Sequence, residues 1–203
     1  MAAVAAVAAI LVALILPGCA GKVRPSTASG VALSPDQQPI PAGTGRRYRL
    51  PAVTPRVAQR LPVAGLRCSG RHRRFFAAHL ELYANRLVLP VPAGIGVAPP
   101  ARRSGAYVTG GACRYPIRTF EPTGVTVLDA GRSLTLGQLF AVWGQPLSRR
   151  SLAGFHGAVE AFVNGRRWRR APAAIPLRRH SEIVLEIDGL VAPHRTYTFP
   201  PGF

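Results

Sequence analysis

The chain has 203 residues, room for one domain of ordinary size plus appendages, and 48% of them are hydrophobic, enough for a core. Its formal net charge is +18, from 26 basic against 8 acidic residues, and Lys22 is the only lysine. Such a chain associates with polyanions (anionic lipid, cell-wall polymer or nucleic acid), while its five glutamates and three aspartates, scattered singly, offer no visible carboxylate pair for general acid–base catalysis.

From Ala2 to Leu16 every residue is Ala, Val, Ile or Leu, and the run ends Leu16-Pro17-Gly18-Cys19-Ala20. That length suits a signal-peptide core better than a full membrane span, which needs about 20 residues. Leu16 and Gly18, three and one before Cys19, resemble a bacterial lipobox, and the resemblance implies lipidation at Cys19 and residence on the extracytoplasmic face of the cell membrane. A signal anchor and a cytosolic protein with a hydrophobic end are the alternatives, because Lys22, Arg24, Arg46 and Arg47 follow the run rather than precede it. Residues 1–19 are therefore read as signal peptide or anchor.

Residues 20–66 hold recurrent prolines among Ser, Thr, Gly and Gln with no lasting period of 2 or 3.6, which reads as a disordered or polyproline-like linker. Its forty-odd residues reach roughly 35–40 Å as a flexible chain. The folded part is placed at 67–203.

Within it, His79 to Tyr83 alternates and, after Ala84-Asn85, continues as Arg86 to Val91, a hairpin signature. Pro90 to Val97 reads as an edge segment and turn, Arg102 to Gly111 as a surface loop, and Tyr115–Phe120 and Gly124–Leu128 as strands. Ser133 to Leu147 is the best-specified stretch. Thr135 and Gln138 fit a capping box, Leu136, Leu139, Phe140 and Trp143 share one helical face, and Gly144 and Pro146 end the helix. These apolar residues are read as core rather than as a ligand box. Ala158 to Val163 then forms a strand closed by Asn164-Gly165, with Arg166-Arg167-Trp168 returning. Glu182 to Asp188 alternates, with Ile183, Leu185 and Ile187 on one face. Glu81, Glu160, Glu182 and Glu186 read as solvent-facing strand positions.

Hairpin, strand, one helix, hairpin and strand imply an α+β domain with a mixed sheet and one packed amphipathic helix. The order resembles the β-grasp fold, and Ala158–Gly165, Ile175-Pro176-Leu177 and His180–Val184 are similar to the latter half of the small sulfur-carrier proteins. Those carriers act through a terminal Gly-Gly carboxylate. This chain has Pro200-Pro201-Gly202-Phe203 there, so the resemblance implies the fold and not the activity. Over Cys68 to Phe203, the landmarks Pro92-Ala93-Gly94-Ile95-Gly96, Thr135-Leu136-Gly137-Gln138, Val142–Leu147 and Phe162-Val163-Asn164-Gly165 resemble a family of uncharacterised secreted or lipid-anchored bacterial proteins. Members of that family carry a His-Thr-His-Asp segment where this chain has Arg118-Thr119-Phe120-Glu121, so a metal site built on that pair would be partly degenerate here.

Cys68 and Cys113 are the two cysteines of the folded part; in an oxidising compartment a disulfide is the natural reading, with two independently buried thiols as the alternative. His79 is the weak metal candidate, with His72 or His180 as partners; no CxxC or ligand-spaced His supports a zinc motif, and no cofactor is expected. Arg166, Arg167, Trp168, Arg169 and Arg170 combine cations with an aromatic ring and form the candidate polyanion contact. Arg67, Arg71, His72, Arg73 and Arg74 are the other dense basic cluster, and neither carries a nucleic-acid motif. No hydrolase elbow, nucleotide loop or metalloprotease motif is present. The sequence therefore reads as a non-enzymatic lipoprotein binding module, with a periplasmic copper- or zinc-handling protein and a basic nucleic-acid binder as alternatives.

Overall fold

The helix expected after Thr135 forms as α1, Leu136–Trp143, in a computed structural model that describes residues 60–71 and 74–203. Its start is held reciprocally. The Gln138 amide donates to Thr135 Oγ1 at 3.4 Å, and the Thr135 amide donates to Gln138 Oε1 at 3.1 Å. Gly144, at φ 76°, takes the left-handed conformation that stops it, and its amide reaches the Phe140 and Ala141 carbonyls. Leu136, Leu139, Phe140, Val142 and Trp143 are all buried. Thr135→Ala should remove about 1 kcal/mol of stability, read as a lower denaturant midpoint at unchanged slope. A midpoint equal to the wild type would show that the cap is dispensable.

Eleven strands flank the helix: β1 Phe75–Ala84, β2 Leu87–Val88, β3 Arg102–Ser104, β4 Tyr107–Gly110, β5 Ile117–Thr119, β6 Val125–Asp129, β7 Ser151–Leu152, β8 Phe155–His156, β9 Val159–Val163, β10 Arg166–Arg167 and β11 Glu182–Ile187. The main sheet is ordered β10-β9-β11-β1-β6-β5, with β2 paired to β1. β1 and β11 run parallel at its centre, and the other pairs in it are antiparallel. The described residues make an α+β domain with one α-helix, a short 3-10 turn at Pro172–Ala174 and a mixed sheet of seven strands. The Asn164–Gly165 turn has both residues at positive φ, 50° and 73°, as a two-residue hairpin connection requires.

The helix packs on the sheet face that carries Ala78, Leu80, Leu82, Ile183, Leu185 and Ile187, and these join Leu136, Leu139, Phe140 and Trp143 in one core. The 102–111 stretch is not a loop, because β3 and β4 pair as a separate hairpin. Pro90 to Val97 makes the expected turn, over residues 93–96, and bridges Arg114 through Val97; Val91 and Ile95 are buried in the main core and Val97 in a smaller cluster with Ala93 and Val108. Val63 and Leu66 pair by backbone and lie in the same core, so the folded part starts before Arg67. Cys68 and Cys113 are disulfide-bonded with Cα atoms 5.6 Å apart. Cys19 and the linker as far as residue 59 lie outside the described residues. Among the described residues no helix is long and apolar enough to cross a membrane.

Candidate functional site

The sheet face turned away from α1 is polar and buried. Alternation along β1 puts His79, Glu81 and Tyr83 on this face, and β11 adds Glu182, Val184 and Glu186. The parallel register sets His79 opposite Glu182 and Tyr83 opposite Glu186. His79, Glu81, Glu182 and Glu186 are each no more than 1% exposed, which corrects the solvent-facing positions expected for three of these carboxylates. Glu160, opposite Glu186 in register on β9, is the one that keeps solvent contact, with a side chain 32% exposed.

The cover comes from the chain beyond β11. Residues 189–203 form no strand, yet they lie across this face. The Tyr197 ring stacks on His79 at 3.6 Å between centroids and 11° between planes, and Phe199 stacks on His180 at 4.7 Å. Phe203 meets Phe75 at 5.8 Å, and the Arg195 stem lies against Gly165. His194, on this strap, approaches Glu81 with Nδ1 2.8 and 2.9 Å from the two carboxylate oxygens. Glu81 also accepts from the Tyr83 hydroxyl at 3.1 Å.

The hydrogen bonds of His79 settle its tautomer. Its Nε2 lies 2.8 Å from the Thr123 carbonyl, which can only accept, so Nε2 carries the proton. That approach needs Gly124, whose φ is +89° and whose Cβ, if present, would run into the Leu80 carbonyl. Burial pushes the His79 imidazole down to about 4, so it is neutral near pH 7 and its Nδ1 is a lone pair. Glu182 Oε2 stands 2.8 Å from that Nδ1. Burial, with the Glu81 carboxylate nearby, pushes Glu182 up to about 9, so its acid form donates to His79. The pair is a neutral hydrogen bond rather than a buried ion pair, whose desolvation it avoids. Glu182 Oε1 is buried with no hydrogen-bond partner. Burial also raises Glu186; its carboxylate makes no well-formed hydrogen bond, and the Val191 backbone offers its nearest partial compensation.

The concentration of acid here is out of proportion to the chain. All five glutamates of a protein with net charge +18 gather about this face. Glu81, Glu182 and Glu186 lie in it, Glu160 borders it, and the Glu121 charge reaches His79 and Tyr197.

The residues expected from sequence are distributed differently. His180 is at the turn before β11, exposed and stacked on Phe199, away from the His79 cluster; His72 lies outside the described residues. Arg118 is buried and bonded to Asp129 at 2.7 Å, a structural ion pair. Arg167, Trp168, Arg169 and Arg170 line a cleft of about 320 Å³ with Arg149, Val159, Glu160, Ala161 and Pro172, while Arg166 is exposed on β10 beside it. Trp168 is half-buried where it lines the cleft. Its ring packs against the core and its Nε1 donates to the Ala171 carbonyl at 3.1 Å. Arg167 is held by Glu160 at 2.6 Å, whereas Arg149, Arg166, Arg169 and Arg170 have no carboxylate partner among the described residues. Comparison of the chain with family models, with curated proteins and with solved structures gives no match.

Proposed function

We propose that the protein is an exported, membrane-tethered and non-enzymatic binding module whose arginine-lined cleft holds a phosphate-bearing polyanion of the cell envelope. The observation that carries this reading is that Arg149, from the bend before β7, joins Arg167, Arg169 and Arg170 of the β10 segment on one concave surface. Guanidinium groups match phosphate oxygens in pairs; Arg149, whose Nη2 donates to the Arg169 carbonyl at 3.3 Å, and Arg169 and Arg170 have no carboxylate among the described residues to compete with such a ligand. The disulfide is in keeping with an oxidising compartment, and hence with export and with lipidation at Cys19. The stretch from residue 20 to the start of the folded part before Val63 would then hold the domain away from the membrane. The central parallel pair flanked by antiparallel strands, with one helix across them, matches the β-grasp arrangement, a scaffold that presents surfaces for binding. Since Trp168 is engaged with the core, the cleft acts by charge rather than by base stacking, which favours lipid or wall phosphate over nucleic acid.

The test uses the full chain with soluble polyphosphate, and with phosphatidylcholine vesicles that contain or lack phosphatidylglycerol. The combined substitution Arg149→Ser, Arg169→Ser and Arg170→Ser should weaken polyphosphate binding about tenfold or more at low salt, with the difference shrinking as salt rises. Equal binding by this variant and the wild type would reject the cleft. Binding to polyphosphate alone identifies a soluble or wall polymer; binding to the anionic vesicles alone identifies lipid headgroups.

A further inference from the structure

We propose that the buried polar face beneath the C-terminal strap is a binding site for one divalent transition-metal ion, with His79 Nδ1 and the carboxylates of Glu81 and Glu182 as ligands from the sheet and His194 as the fourth from the strap. The inference is independent of the polyanion cleft.

The donors are already gathered. One ligand atom from each of His79, Glu81 and Glu182 lies within 4.8 Å of the others. His79 Nδ1 is 2.8 Å from Glu182 Oε2 and 3.9 Å from Glu81 Oε1, and His194 Nδ1 is 2.8 Å from Glu81 Oε1. His79, Glu81 and Glu182 form the gathered set, and His194 meets it at Glu81, so closing a tetrahedral shell at about 2.0–2.2 Å from each donor draws the His194 ring of the strap inward.

Their orientation is also that of a ligand set. The Thr123 carbonyl occupies Nε2–H of His79, so the remaining lone pair on Nδ1 points at the carboxylates. A backbone carbonyl that fixes a histidine's tautomer is the usual outer partner of a metal-bound imidazole. Tyr197 fixes the ring plane by stacking on it. The Tyr83 hydroxyl supports Glu81 in the same way.

Charge and burial point the same way. Two carboxylates and two neutral imidazoles balance a 2+ ion exactly once, so the loaded site would be electroneutral where solvent is excluded. Without the ion, Glu182 Oε1 is a fully buried oxygen with no partner, and the glutamates around it sum to a field that attracts a cation. Two nitrogen donors favour Zn²⁺ or Cu²⁺ over Mg²⁺ and Ca²⁺, which take oxygen shells. Four protein donors leave no open position, so the site holds the ion and pins the strap rather than activating water. His194, with a side chain 24% exposed, is the ligand nearest solvent and the point of entry.

The full chain, purified in detergent and stripped with a chelator, is titrated with Zn²⁺ by calorimetry. One equivalent should bind with a Kd below about 1 μM. Glu182→Gln keeps the side-chain volume and an N–H able to donate to His79 Nδ1, so it should fold as the wild type does. It should nevertheless lose about 100-fold or more in Zn²⁺ affinity. His194→Ala, at the partly exposed position on the strap, should lose about tenfold or more and serves if the buried variant is poorly folded. His156→Gln, on the exposed β8 histidine, should bind normally. Co²⁺ in place of Zn²⁺ should give the intense visible absorption of a four-coordinate site. The proposal is overturned by no binding at about 100 μM Zn²⁺, by unchanged affinity in both Glu182→Gln and His194→Ala, or by a weak six-coordinate Co²⁺ spectrum.

Discussion

Replacing Trp143 with alanine should cost about 3–5 kcal/mol, a large part of the 5–15 kcal/mol that holds a typical domain together. Trp143 is fully buried at the end of α1, with its ring 5.3 Å from that of Phe140 and both in the core against β1 and β11. Truncation removes most of its contacts, and the void would sit where the helix meets the sheet. The melting temperature should fall by about 10 °C or more, with near-UV circular dichroism lost in the same transition. Trp143→Phe provides an internal comparison. The indole Nε1 has no hydrogen-bond partner, so phenylalanine removes an unsatisfied donor and leaves a smaller cavity. It should cost distinctly less than alanine. A Trp143→Ala protein that melts like the wild type but has lost polyphosphate or Zn²⁺ binding would overturn the structural role and place function on the helix.

Reduction of the Cys68–Cys113 disulfide should destabilise the domain by about 4 kcal/mol, the chain-entropy value for closing a loop of this size. The sequence separation is 45 residues, so the reduced denatured chain gains considerable freedom. The native state loses less, because Ser69 and Arg114 next to the two cysteines exchange backbone hydrogen bonds at 2.8 and 2.9 Å that survive reduction. The bond also anchors the 60–69 segment, whose Val63 and Leu66 enter the core and whose Leu61 carbonyl accepts from the Tyr115 hydroxyl. The measurement is the urea midpoint of the full chain with and without reductant, alongside a Cys68→Ala, Cys113→Ala variant. Both should shift to lower urea by the same amount. Equal midpoints in all three proteins would remove the disulfide from the account of stability.

Local signals carried much of the fold. The capping box at Thr135 and Gln138, the apolar face of α1 and the Asn164–Gly165 turn are each written within a few consecutive residues, and each forms as read. Most strands of the main sheet were visible as alternation or as apolar runs, whereas the β3–β4 hairpin, where Arg102, Arg103 and Gly110 mimic a loop, and the two-residue strands of the β7–β8 hairpin were not. The cysteine pair was legible because a folded part with two cysteines allows one bridge.

The buried polar face was not legible in this way. Period-2 alternation reports that His79, Glu81 and Tyr83 share one side of a strand, and that Glu182 and Glu186 share one side of another. It cannot report whether that side meets water. A glutamate beside apolar neighbours is read as exposed because an uncovered sheet face is the ordinary partner of an apolar one. Here the strap of residues 189–203, which has no regular pattern of its own, closes over it. The parallel register, with more than a hundred residues between His79 and Glu182, then brings them to 2.8 Å. His194 reaches Glu81 across a similar separation.

The sequence by itself determined the helix and its caps, most strands of the main sheet, the cysteine pair and the excess of positive charge, because these depend on near neighbours, on composition or on a single possible pairing. Only the tertiary structure decided that Glu81, Glu182 and Glu186 are inside and that the Trp168 ring packs against the core. It also decided that the arginines of separate segments form one cleft and that His79 faces two carboxylates and a second histidine. Those outcomes depend on which surfaces the long-range pairing of β1 with β11 and the C-terminal strap remove from water.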